Sequence, residues 1–187
     1  MELITNQKYW SLTLTFIITV IVFLVFSLLQ GLVLLYLSHI SPHSTHELLA
    51  YSNLGLISLI SACFGSLLLI AFIRIKNRDI AGYLNLSIPR LDVSLIFMLI
   101  AFVLMFFGEL ASNFYPDLLE TEFAIKSYKN SNSLTLLYLG VVCFGPIFEE
   151  FVFRGFLFKG LERSFFGGHG AVFISSILFA LLHVQYG

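Results

Sequence analysis

An all-α, polytopic bundle of transmembrane helices is what the sequence predicts, on its apolar content, its shortage of charge and the length of its uncharged runs. Of the 187 residues 58% are hydrophobic and 11% charged, where an ordinary soluble domain carries roughly 25% charged residues. A chain this short has too much surface to hide so many apolar side chains from water, so a bilayer must solvate the excess. Membrane lipid is therefore an expected partner. Ten Lys and Arg against eleven Asp and Glu give a net charge of −1, which excludes the basic footprint of a nucleic-acid binder. Cys63 and Cys143 lie inside apolar runs and read as small buried hydrophobes rather than as a disulfide or a nucleophile.

About five membrane helices are expected. Tyr9 to His46 holds no Asp, Glu, Lys or Arg, and its apolar part from Trp10 to about Leu37 exceeds the ~20 residues that cross ~30 Å of hydrocarbon. Gln30-Gly31-Leu32 offers no small-residue cleavage site, so this first helix is kept rather than removed as a signal peptide. Asn53 to about Ile73 is a second span, closed by the charged run from Arg74 to Asp79. Val93 to Leu110 is a third, Leu134 to Phe148 begins a fourth, and Ala171 to Tyr186 forms most of a fifth. Pro42 to His46 makes the loop between the first two. In Ala81 to Pro89 the proline biases Ile88 away from helix, so this segment is expected at the membrane interface rather than across it.

Lys and Arg in the short connections set the orientation, because cytoplasmic loops retain positive charge. Ser38 to Asn53 has none, whereas Arg74 to Asp92 has Arg74, Lys76, Arg78 and Arg90. The N-terminus is then cytoplasmic in a multi-pass integral membrane protein, which in a bacterium means the plasma (inner) membrane. The third span leads outward to Ser112–Ser133, with three acids and two lysines, and the fourth leads inward to Arg154, Lys159 and Arg163.

Ionisable residues at membrane depth are costly, and each is a functional hypothesis. Glu109 sits near the outer end of the third span, where interface water is within reach. The run Gly145-Pro146-Ile-Phe-Glu149-Glu150-Phe-Val-Phe-Arg154-Gly155 sets two adjacent carboxylates in an aromatic and aliphatic helix. Like charges in a poorly solvated site compete for ionisation, and one of them becomes a proton acceptor useful near neutral pH. Glu150 and Arg154 are spaced i,i+4 in the favourable order and are expected to pair in a mostly desolvated bridge. Glu149 is rotated about 100° from that face and is left to meet another helix. In the fifth span Ser175, Phe179, His183 and Gly187 recur every four residues along one face. A glutamate and a neutral imidazole converging on one water can share its deprotonation. The bland reading of the same residues is a charged cluster that ends a span, beside a packed histidine.

These residues resemble the CPBP family of intramembrane proteases, which includes type II CAAX prenyl endopeptidases, bacteriocin-processing enzymes and lysostaphin-resistance-like proteins. The family's first motif, two glutamates, three residues and an arginine, matches Glu149, Glu150 and Arg154; its second, phenylalanine, three residues and histidine, matches Phe179 and His183. Between Glu150 and His183 lie the family-like spacing of 33 residues and an expected turn at Gly167-Gly168-His169-Gly170. The resemblance divides the chain into N-terminal membrane helices and loops (1–133) and the N-terminal part of a protease core (134–187). It implies an endopeptidase that hydrolyses a peptide or protein substrate, prenylated or not, near the cytoplasmic membrane face. It implies that Glu149, Glu150 and His183 are the catalytic group, Glu149 as general base and His183 as its partner. Glu150 and Arg154 would hold the first glutamate in place and Phe179 would pack the site. The family's third motif, a histidine followed three residues later by asparagine or aspartate, would supply oxyanion donors. Its expected place is several tens of residues beyond Gly187, so the chain reads as a piece of a longer protease whose C-terminal helices are missing.

Other chemistries fail on spacing. His46-Glu47 begins a zinc-protease pattern whose second histidine would fall at Ala50, and Gly65-Ser66 lacks the setting of a serine nucleophile. Zinc held by Glu149, Glu150 and His183 is the alternative to a cofactor-free site, although complete sites use three or more well-placed ligands. The non-enzyme alternative is a membrane scaffold or immunity-type protein in which the cluster is structural.

Overall fold

The structure, a computed structural model, describes residues 9–77, 79–86, 89–114 and 122–183, and of residues 112, 113 and 122 the backbone alone. Every described element is a helix or a turn. The helices are α1 (Leu12–Ile40), α2 (His46–Ser52), α3 (Leu54–Lys76), α4 (Ile80–Tyr83), α5 (Leu91–Phe114) and α6 (Glu122–Asn130), followed by α7 (Leu134–Glu162) and α8 (Gly167–His183). Polar residues start them where the first N–H groups need acceptors. The side chains of Ser11, Thr45 and Ser133 accept from the amides of Leu14, Leu48 and Leu136.

Four helices are long and apolar enough to cross a membrane: α1, α3, α5 over Leu91–Ala111, and α7. The expected fifth, α8, has 17 described residues, about 25 Å of helix, while 184–186 lie outside the described residues. It also starts earlier than expected. The turn is Arg163 to Phe166, and the glycine run winds the first turn of α8. Gly167 takes φ +62°, a left-handed conformation that only glycine adopts without cost, and the Gly170 amide then donates to the Phe166 carbonyl.

The fourth span does not end at its first charge. α7 runs 29 residues because Glu150–Arg154 and Lys159–Glu162 pair along it, while Val152, Phe156, Leu157 and Leu161 are buried on its inner side. Two stretches, Tyr138–Phe144 and Glu150–Leu157, wind as π-helix. The first leads into Pro146, which has no N–H to give and crowds the turn before it, and the wider turn there bonds the Gly145 amide to the Gly140 carbonyl.

α7 is pressed against its neighbours at glycines. A Cβ on Gly140 would overlap the Gly55 carbonyl, and one on Gly55 the backbone at Leu136. Gly65 lies under the Phe148 ring, where a Cβ would come within 2.6 Å, and Gly160 lies equally close to Thr15. Small residues are what allow membrane helices such close approach. The core formed this way joins Ile18 and Val22 of α1, Leu69 and Ile73 of α3, and the buried face of α7.

Residues 87 and 88 of the 81–89 segment, and with them the expected bend at Ile88, lie outside the described residues, and the part before them is held by the protein. Tyr83 and Leu84 are buried in that core, with the Tyr83 ring 4.9 Å from Tyr9 and 5.9 Å from Phe156. Arg163 caps the Tyr9 ring at 4.1 Å and Lys76 lies 5.1 Å from the Trp10 ring, an aromatic and cationic end of the kind found at membrane interfaces. Helix α5 has no buried residue along its described side chains, as suits a helix solvated by hydrocarbon. Cys143, expected buried, is exposed on α7, and Cys63 is half-buried; both are free thiols.

Candidate active site

Helix α7 carries Glu149 at the junction between its proline turn and its second wide stretch, and α8 returns alongside it to bring His183 opposite. The two side chains meet, with His183 Nε2 3.6 Å from Glu149 Oε1. Both are about one-third exposed, 37% for His183 and 32% for Glu149. His183 Nδ1 lies 2.8 Å from the Phe179 carbonyl oxygen. That oxygen can only accept, so Nδ1 carries the proton and Nε2 presents its lone pair when the ring is neutral. Two acceptors then face each other across a gap longer than a hydrogen bond, the arrangement that one bridging water satisfies by donating to both.

Phe179 holds the imidazole twice, by its carbonyl and by its ring, which stacks on the His183 ring at 4.3 Å. Phe153 meets Phe179 edge-on at 5.4 Å, and Phe23 of α1 lies 5.6 Å from Phe153. Phe26 stacks on Phe148 at 4.7 Å. Of these rings Phe23, Phe26 and Phe153 line a cavity of about 320 Å³ into which Glu149 and His183 open, together with Ser27, Gln30 and Ser58.

Glu150 faces elsewhere. Its carboxylate pairs with Arg154 at 2.9 Å, as the i,i+4 spacing predicts, but on the outside of the bundle, with side chains 52% and 76% exposed. The expectation of a bridge desolvated by protein is corrected: the buried face of this stretch is taken by Val152, Phe153, Phe156 and Leu157, which leaves the charged pair outward. Glu149, Glu150, Arg154 and Phe179 do share a smaller cavity of about 80 Å³ beside the first, with Ser175 and Ser176. Glu149 thus stands between the two. The zinc set of Glu149, Glu150 and His183 does not converge, and among the described residues no three His, Cys, Asp or Glu groups are placed to hold a metal ion.

Of the sequence-selected residues, Glu149, His183 and Phe179 are brought together, Glu150 and Arg154 flank them, and Glu109 lies on α5, away from the core. Gly187 falls outside the described residues. The polar wall on α1 and α3 was missed. The available signal was the recurrence of Thr15, Thr19, Ser27 and Gln30 on one otherwise apolar helix, a stripe that marks an inward face.

No curated protein and no solved structure gives a match to the chain. Residues 131–187, the segment that holds both motifs and both helices of the site, match the family model described as type II CAAX prenyl endopeptidase Rce1-like, a match that supports membership of the CPBP family, the one its two motifs resemble.

Proposed function

We propose that the chain acts as a CAAX-type intramembrane endopeptidase in which Glu149 and His183 activate water against a peptide carbonyl. The observation that carries this reading is the facing pair of acceptors, Glu149 Oε1 and His183 Nε2, held 3.6 Å apart with the imidazole fixed by Phe179. A water donating to both loses a proton to Glu149 as its oxygen bonds to the carbonyl carbon. The tetrahedral species then collapses, the C–N bond breaks, and the amine leaves with the proton returned by Glu149. His183 orients the water throughout. Arg154 neutralises Glu150, so that the second carboxylate does not compete with the first for ionisation.

The basic, aromatic end formed by Trp10, Lys76, Lys159 and Arg163 favours a cytoplasmic placement for that end of the bundle, and with it cleavage on the cytoplasmic side of the bilayer. The substrate class is a peptide or protein, prenylated or not, and the reaction as written draws on protein groups alone.

The test is cleavage of peptide substrates by membranes that contain the protein. Glu149→Gln keeps shape but cannot take the proton, so cleavage is expected to fall about 10²–10⁴-fold. His183→Ala should fall similarly, and the double variant should be little worse than either, because groups that act as a unit lose their effect together. A strong chelator should leave turnover intact. Wild-type turnover by Glu149→Gln would overturn the assignment and return the cluster to a structural role.

A further inference from the structure

Two cavities meet at the same three polar side chains. The one at Glu149 and His183, about 320 Å³, and a second of about 490 Å³ toward α2 and α6, lined also by Ala50 and Phe123, share Ser27, Gln30 and Ser58. These three come from two helices, α1 and α3, both apolar enough to cross a membrane. At such depth a carboxamide and two hydroxyls facing lipid would be unsatisfied, and here they face a shared opening instead. Gln30 is half-buried. Its carboxamide offers two donors and an acceptor, and a water held in a protein site uses about 2–4 polar partners.

We infer that Gln30, with Ser27 and Ser58, forms a polar neck that admits water to the Glu149–His183 pair from the end of the bundle carrying α2 and α6, and that Gln30 is a positioning residue for that water. The consequence is directional. Hydrolysis consumes a water per bond cut, and the bilayer core supplies almost none. Phe23, Phe26 and Phe153 line the cavity around the pair, and the neck joins it to the end carrying α2 and α6, while the smaller cavity with Glu150, Arg154, Ser175 and Ser176 meets Glu149 from its other side. The inference deepens the hydrolytic reading above and rests on it only for the use made of the water.

The experiment measures access rather than cleavage. In the full chain with Cys63 and Cys143 replaced by alanine, single cysteines are placed at Val141, which lines the inner cavity, and at Leu28, which is 65% exposed on the outer surface of α1. A third at His43, in the loop between α1 and α2, reports the side to which a charged, membrane-impermeant thiosulfonate has been added. Val141→Cys is expected to react from the His43 side at least about tenfold faster than Leu28→Cys, because a charged reagent crosses a wet neck far more readily than hydrocarbon. Adding Gln30→Leu should slow the Val141→Cys reaction several-fold, and Gln30→Asn should restore most of it. Labelling only from the opposite side, or labelling indifferent to residue 30, would overturn the inference. Glu149→Gln distinguishes the two readings: a protein that labels normally but cleaves as well as wild type with this substitution costs the catalytic assignment and leaves the neck.

Discussion

At His183 one ring nitrogen decides what the other can do. The Phe179 carbonyl 2.8 Å from Nδ1 fixes the proton there, and the stacked Phe179 ring prevents the imidazole from turning to exchange its nitrogens. Selective ¹⁵N labelling should therefore show, in the neutral ring, a protonated Nδ1 and an unprotonated Nε2. A majority of the other tautomer would remove the second acceptor on which water activation depends. Phe179→Leu keeps the carbonyl but loses the stack. It is expected to lower cleavage while leaving the folded yield near wild type, whereas a purely structural phenylalanine would show the reverse. The Phe179–His183 spacing was visible in the sequence because i,i+4 residues share a helix face. The outward position of Glu150 and Arg154 was not, because spacing says that two residues face the same way without saying which way.

At the level of elements, the contact of α3 with α7 is the one least tolerant of change. Gly140 and Gly55 let the two backbones touch, so Gly140→Ala must push the helices apart. A marked loss of folded protein in detergent extracts is expected, against no loss for Gly31→Ala, where nothing lies within 4 Å. Equal yields from the two variants would show that the helices slide at no cost. Helix α4 gives a pH test. Burial pushes the Tyr83 phenol from its ordinary 10 up to about 12. The unfolded phenol ionises first, so above pH 10 the unfolded state binds fewer protons and stability must fall. The contribution of the buried neutral phenol is complete below pH 10 and is lost as the pH rises to about 12. Thermal melts across that window should decline more steeply for wild type than for Tyr83→Phe; parallel declines would show that Tyr83 is not the group responsible.

For the whole molecule, the two ends of the bundle differ in the residues from which its orientation is predicted. Trp10, Lys76, Lys159 and Arg163 gather at one end, and α2 with α6 at the other. A reporter fused after Lys76 should read cytoplasmic and one fused after Ser44 external. The reverse at both positions would place the basic end outside and move the proposed cleavage to the other face of the membrane. The depth of the site follows from α7: its first 15 residues, Leu134 to Phe148, carry no charge, and Glu149 opens the charged half, about 20 Å of helix from Glu162.

The sequence by itself determined the class of solvent, the helical architecture and the spacing within each of its two motifs. Those follow from composition, from uncharged runs as long as a bilayer is thick, and from spacings on a single helix, all of which are local. Only the tertiary structure decided that the glycine run starts a helix rather than making a turn, and that Tyr83 is buried between Tyr9 and Phe156. It also set Glu149 inward and Glu150 outward, and brought Ser27, Gln30 and Ser58 to one cavity. These outcomes depend on how helices rotate and approach one another. That rotation is set by which face packs best against neighbours far along the chain, a quantity that no run of consecutive residues contains.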